Sequence, residues 1–279
     1  MFEDTSRRRS VFRSESALNP DATADTAIGR DTELERIEAA IKPLTSDSAP
    51  EDMLLVGPPG VGKTTCVNHV LAELEDQTRV KGVYINCWQH NTRPALLSHL
   101  LIELGYMVPR KGRAVDSLLS RLQEWLDKNR SVVVVLDEFD QLGDATDVIY
   151  DLKQLRAETE HELGVIMLCN ESRPEESLDA RCRSRLNYTT VPFEGYDADT
   201  LFSILKERSD DAFRSNAVSD NVLQIIADMV ADQDGDCRQA LTLLRQAGRT
   251  ADREQADQVT PRHIGQIRSD PPDKASVTV

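Results

Sequence analysis

The residues from Gly57 to Thr64 read Gly-Pro-Pro-Gly-Val-Gly-Lys-Thr, a glycine-rich turn closed by a lysine and a hydroxyl. Glycines at this spacing let backbone N–H groups converge on phosphate oxygens. Lys63 then adds a positive charge toward the β and γ phosphates, and the Thr64 hydroxyl suits Mg²⁺. Gly57, Pro58, Pro59, Gly60, Val61, Gly62, Lys63, Thr64 and Thr65 are therefore expected to bind ATP or ADP with Mg²⁺. The apolar run Val132 to Leu136 ends in Asp137-Glu138, two carboxylates at the C-terminal end of an expected strand, where ligands of open α/β sheets bind. Asp137 is expected to hold the metal together with Thr64, and Glu138 to polarise the attacking water. Asn170 ends the next apolar run. A neutral polar side chain there can orient that water or touch the γ-phosphate, although an Asn after a strand is, taken alone, more often a turn former.

Two arginine features follow. The segment Leu178-Asp-Ala-Arg181-Cys-Arg183-Ser-Arg185 packs more guanidinium groups together than one chain's own triphosphate can use, so at least one is expected to reach a neighbouring subunit's nucleotide. Gly235-Asp236-Cys237-Arg238-Gln-Ala240 opens a helix, from which Arg238 would report the nucleotide's state by lid closure. Without the phosphate loop upstream, either segment would be read as an ordinary surface ion pair.

The elements that must position these groups are legible as a change of pattern. Met53 to Val56, Gly82 to Cys87, Val132 to Leu136 and Val165 to Cys169 are continuous apolar runs, as expected of parallel strands buried on both faces, and Thr189 to Phe193 is a fifth. Helical patterns near 64 to 75, 94 to 104, 115 to 128 and 147 to 161 alternate with them, which predicts a mostly parallel sheet with helices on both faces. A short helix opened by an Asp31 cap precedes the first strand. After Phe193 the pattern is wholly helical: Asp197 to Arg208, Ser219 to Asp232, Asp236 to Arg249 and a Thr260-Pro261 start running to Arg268. The expected division is a loosely held arm over 1–27, an α/β nucleotide domain over 28–193 with a helical insertion about 93–113, a helical lid over 194–268 and a disordered tail over 269–279.

Composition narrows the function classes. The chain of 279 residues has 39% hydrophobic and 29% charged residues, and no apolar run approaches the roughly 20 residues that span a bilayer. No secretory leader is visible, so a cytoplasmic location without membrane partners is expected. The five cysteines show no C-x-x-C pairing and the five histidines are scattered, which points to reduced thiols and no zinc site. The net charge of −15 opposes non-specific nucleic-acid binding in dilute buffer. In molar salt the Debye length falls to about 3 Å, so a local basic patch still acts, and a salt-adapted, halophilic protein is expected.

Taken together these residues resemble the AAA+ ATPases, with G-P-P-G-V-G-K-T as Walker A, V-V-V-V-L-D-E-F-D as Walker B, Asn170 as sensor 1 and G-D-C-R-Q-A as sensor 2. More narrowly the chain resembles the archaeal replication initiators of the origin-recognition and cell-division-control family, through I-G-R-D-T-E-L-E-R-I at 28 to 37, Y-I-N-C-W-Q-H-N-T-R at 84 to 93 and L-D-A-R-C-R-S-R-L at 178 to 186. The resemblance implies that Ile28 to Arg30 borders the adenine, that Arg185 is an arginine finger acting in trans with Arg181 in reserve, and that Arg238 is the sensor 2 arginine. It implies slow ATP hydrolysis, and as partners origin DNA, a replicative helicase and other initiator subunits in a homo- or hetero-oligomer. A helical insertion after the second strand contacts origin DNA in this family. Here its cations would be Arg93, Arg110, Lys111 and Arg113, with a solvated basic loop as the other reading. The family's C-terminal winged-helix domain is expected to be missing, since only a short polar tail follows Arg268. Two other roles stay open: a nucleotide-binding adaptor that regulates full-length initiators without reading DNA, and a clamp-loader-like ATPase.

Overall fold

The computed structural model describes residues 10–20, 26–107, 114–170 and 187–269. Among these, residues 26–193 form one compact unit, and residues 10–20 with 194–269 form a second.

The first unit is built on a five-stranded, wholly parallel sheet: β1 (Asp52–Val56), β2 (Lys81–Asn86), β3 (Val132–Asp137), β4 (Leu163–Cys169) and β5 (Tyr188–Pro192), in the spatial order β2-β3-β4-β1-β5. Its helices are α1 (Asp31–Ile41), α2 (Lys63–Gln77), α3 (Arg93–Glu103), α4 (Val115–Lys128) and α5 (Ala145–Glu158). The continuous apolar runs have a direct explanation, because successive residues of a strand point to opposite faces and each face has its own core. Val133, Val135, Ile166 and Leu168 pack with Ile37, Val67 and Val70 of α1 and α2. Val132, Val134, Leu136, Val165 and Met167 pack with Leu97, Leu122 and Leu152 of α3, α4 and α5. The doubly covered parallel sheet is therefore as the sequence implies, with element ends displaced by a few residues. Asp31 is the first residue of α1 rather than its cap, a position taken by Arg30.

One buried ion cluster ties the sheet to α5. Asp52, 1% exposed, accepts hydrogen bonds from Lys153, from Arg156 at 2.6 Å and from the Val165 N–H at 3.1 Å.

The second unit is helical: α6 (Ala198–Ala212), α7 (Asp220–Ala231), α8 (Cys237–Arg253) and α9 (Pro261–Ser269). The Asp197 carboxylate caps α6 by accepting from Thr200 N, and Asp236 caps α8 by accepting from Arg238 N and Gln239 N. The N-terminal segment corrects the sequence expectation. Order does not begin at Ile28, because Val11, Phe12 and Leu18 are buried in the core of this unit. Phe12 stacks on Phe213 with ring centroids 4.8 Å apart, Arg13 N and Ser14 N donate to Ala212 O, and Val11 N and Ser10 Oγ donate to the Asp252 carboxylate. Three apolar side chains in a polar stretch carry no periodicity, so nothing local announces that their partners lie some two hundred residues away.

Candidate functional site

The phosphate loop leaves the C-terminal end of β1 and enters α2. Gly57 N–H donates to Cys169 O at 3.3 Å, and a Cβ at Gly57 would lie 2.2 Å from the carbonyl oxygen of Phe193, so no other residue fits against β5 there. Gly62 stands at the N-cap of α2 with φ at 89°, a left-handed conformation that glycine adopts without strain. No side chain caps the first turn of α2, which leaves its N-terminal amides facing the loop. Within this turn Val61 is buried, Pro58 and Pro59 are exposed, and Gly60, Thr64 and Thr65 are partly covered.

Lys63 is 6% exposed, unusual for an ammonium. Its Nζ donates to Gly57 O at 2.6 Å, Pro58 O at 2.8 Å and Asn170 Oδ1 at 3.1 Å. Asn170, at the end of β4, is thus brought to the lysine from 107 residues away. Thr64 Oγ1 donates to Asp137 Oδ2 at 3.0 Å, and Tyr84 from β2 donates its hydroxyl to the same oxygen. The other oxygen, Oδ1, accepts from the Glu138 N–H at 2.8 Å. Glu138 itself has φ 54° and ψ 43°, a left-handed backbone rare for a residue with a Cβ and one that collects at functional sites. Burial, and next the bond to Asp137, push the Tyr84 phenol well above its ordinary pKa. Burial also pushes the thiols of Cys87 and Cys169 up to about 12.

The sheet end thus gathers an ammonium, a hydroxyl, an amide side chain, two acids and a run of helix amides. This donor set fits a polyphosphate with a divalent cation: the ammonium and amides suit phosphate oxygens, and the Thr64 hydroxyl with the Asp137 carboxylate is an oxygen pair of the type Mg²⁺ takes. Beside the loop, Arg30 is buried in a 2.9 Å ion pair with Glu33, and its guanidinium lies 5.3 Å from the centre of the Phe193 ring. Ile28, partly covered, precedes it.

The chain is 32% identical to an ORC1-type DNA replication protein of Thermococcus kodakarensis over 279 aligned positions, which take in 95% of this chain and 67% of that relative. It is 35% identical to ORC1-type DNA replication protein 3 of Haloarcula marismortui over 253 positions, 87% of this chain and 67% of that relative. The chain belongs to the ORC1-type DNA replication protein family. Family models agree: residues 49–175 match an AAA domain, and residues 202–269 match a Cdc6 AAA+ ATPase-type lid domain. Among solved structures, that of the Aeropyrum pernix ORC1 protein in complex with DNA superposes with a TM-score of 0.82 at 29% identity, covering 94% of this chain and 70% of that one. The ORC1-type chain described here thus has the AAA+ fold and spans about two thirds of the length of the curated relatives it matches.

Arg238 is exposed on the first turn of α8, in the helical unit, with its backbone N–H held by Asp236. Arg93 corrects one expectation. Its guanidinium forms a fork on Asp151, Nε to Oδ2 and Nη2 to Oδ1, both at 2.6 Å, and Asp147 lies 3.8 Å from it. Asp151 is 1% exposed, so the charge of Arg93 is neutralised inside the unit rather than offered as part of a basic cluster. Arg110, Lys111, Arg113, Arg181 and Arg185 lie outside the described residues. The residue that sequence reasoning passed over is Tyr84. Its signal is a hydroxyl-bearing side chain between Val83 and Ile85 of β2, on the face that carries Asp137.

Proposed function

We propose that this chain is an ATP-dependent DNA replication initiator, a nucleotide-controlled switch that binds origin DNA and recruits the replicative helicase. The observation that carries the reading is the convergence of Lys63, Thr64, Asp137 and Asn170 at one sheet end, in a chain of the ORC1-type family. Lys63 and the amides of the phosphate loop bind the triphosphate of ATP, Thr64 and Asp137 hold Mg²⁺, and Ile28 with Arg30 borders the adenine. The ion that Thr64 and Asp137 would hold would supply charge neutralisation to the polyphosphate. Glu138 takes a proton from the attacking water, and Asn170 orients that water. Arg238 senses the γ-phosphate, and Arg185 completes a neighbouring subunit's site in trans, with hydrolysis slow and ADP retained between turnovers.

Calorimetric titration with ATP and Mg²⁺ tests the role assignment. Lys63→Ala is expected to abolish triphosphate binding or weaken it at least tenfold, whereas Glu138→Gln keeps binding and stops turnover; the reverse pattern refutes it. Arg185→Ala is expected to slow hydrolysis only in the assembled oligomer, and an unchanged oligomer rate sinks the trans role. The DNA reading is tested by salt-dependent binding to origin repeats against random duplex in molar KCl. Preference for the repeats supports the initiator, and no binding favours an adaptor that acts on other initiator subunits. The two relatives named above carry ORC1-type DNA replication names, which favours the initiator over a clamp-loader-like role. The net charge of −15 supports a salt-adapted cytoplasmic protein, for which stability should rise between dilute and molar KCl, and a flat dependence counts against it. No helix among the described residues is long and apolar enough to cross a membrane.

A further inference from the structure

We propose that Tyr84 is a positioning residue for the metal site, holding the Asp137 carboxylate in the orientation that Mg²⁺ binding requires. The inference rests on the nucleotide and magnesium reading above and adds to it a residue that the phosphate loop and the acidic pair do not include.

The geometry starts from the register of β2 on β3. Tyr84 lies opposite Val135, and Asn86 lies opposite Asp137. Tyr84, Val133 and Val135 pack into the core beneath α1 and α2, so the tyrosine and Asp137 stand on one face as diagonal neighbours, within reach of a long aromatic side chain. The phenol donates to Asp137 Oδ2, the oxygen that also accepts from Thr64. With the Glu138 N–H on Oδ1, three donors arriving from β2, from α2 and from the carboxylate's own chain fix its plane. A free aspartate turns about a broad terminal torsion, and a carboxylate used as a ligand binds a cation well only when that torsion is set in advance. Thr64 spends its single O–H on Asp137, so its oxygen lone pairs are turned away from the carboxylate, as a hydroxyl ligand requires. Tyr84 keeps Oδ2 beside Thr64 without being a ligand itself.

A plain core aromatic makes a different prediction. Tyr84→Phe keeps the ring in its packing and deletes only the hydroxyl, so a purely structural tyrosine leaves metal and nucleotide binding unchanged. Second partners of metal-ligating groups typically cost 10–100-fold in metal affinity when removed. The test is equilibrium binding of a fluorescent ATP analogue to the whole chain, titrated with Mg²⁺ and repeated in EDTA, with a thermal melt to show that each variant folds. Tyr84→Phe is expected to raise the Mg²⁺ needed for half-maximal binding roughly tenfold while EDTA-state affinity stays within about twofold. In an Asp137→Asn background, adding Tyr84→Phe should shift the Mg²⁺ requirement no further, because the two residues act as one unit. An unchanged Mg²⁺ requirement, an equal loss with and without metal, or additive effects with Asp137→Asn overturns the inference. If the unaltered chain shows no Mg²⁺-dependent nucleotide binding at all, it is the underlying reading that fails.

Discussion

Replacing Phe12 with alanine should destabilise the helical unit as much as a core deletion does, although Phe12 lies in an N-terminal segment that reads as a polar arm. The ring is 9% exposed and stacks on Phe213 at 4.8 Å with 26° between the planes. Truncation of a buried phenylalanine costs about 3–5 kcal/mol, and Phe12, at the margin of its core where neighbours can partly collapse, belongs near about 3 kcal/mol. A second substitution makes the estimate specific. Gly248 lies within α8, where alanine would ordinarily be favoured by about 1 kcal/mol. Here its Cβ would meet Phe12 Cζ at 2.3 Å and Phe213 Cε1 at 2.9 Å. Gly248→Ala alone is therefore expected to destabilise, by about 1–3 kcal/mol for an overpacked contact. In the Phe12→Ala background the obstructing ring is gone and Phe213 has space to move, so the same glycine substitution should become neutral or stabilising. Urea unfolding of the four proteins in molar KCl, followed by far-ultraviolet circular dichroism, gives the cycle. A Phe12→Ala protein within about 0.5 kcal/mol of the parent, or additive effects at the two sites, would refute the packing of the segment on α8.

Asp52→Ala should cost about 3–5 kcal/mol, because it takes the buried carboxylate at the strand start away from Lys153 and leaves Arg156 only Glu162, at 3.8 Å; an unchanged urea midpoint would count against the cluster. Arg93→Ala should lower stability by a similar amount by stranding Asp151, so that any loss of DNA binding tracks the thermal melt, and loss of DNA binding with an unchanged melt would contradict the internal role. The thiols of Cys66, Cys87 and Cys169 are pushed up to about 12 by burial, so at pH 8 only about one part in ten thousand is thiolate. Iodoacetamide should label these three in denaturant and spare them in the folded chain, and rapid labelling of the folded protein would refute their burial.

The phosphate loop, the acidic pair and the layered α/β order are legible in the linear chain. These depend on contiguous residues: glycines that admit unusual backbone angles, apolar runs for strands buried on both faces, caps such as Asp197 and Asp236 that announce helix starts. Contacts between residues far apart in the chain emerge only once it is folded. Nothing local tells Lys63 that Asn170 will meet it, or Asp137 that Tyr84 will, because those meetings are fixed by β1 lying beside β4 and by the register of β2 on β3. Arg93 reads from the sequence as a free cation, and folding cancels it against Asp151 on another helix. Val11, Phe12 and Leu18 are too few and too irregular to signal an element, yet they complete a core whose other walls begin only at Tyr196, far along the chain. Periodicity records the face that a segment buries, and the partner of that face is set only when the chain closes on itself.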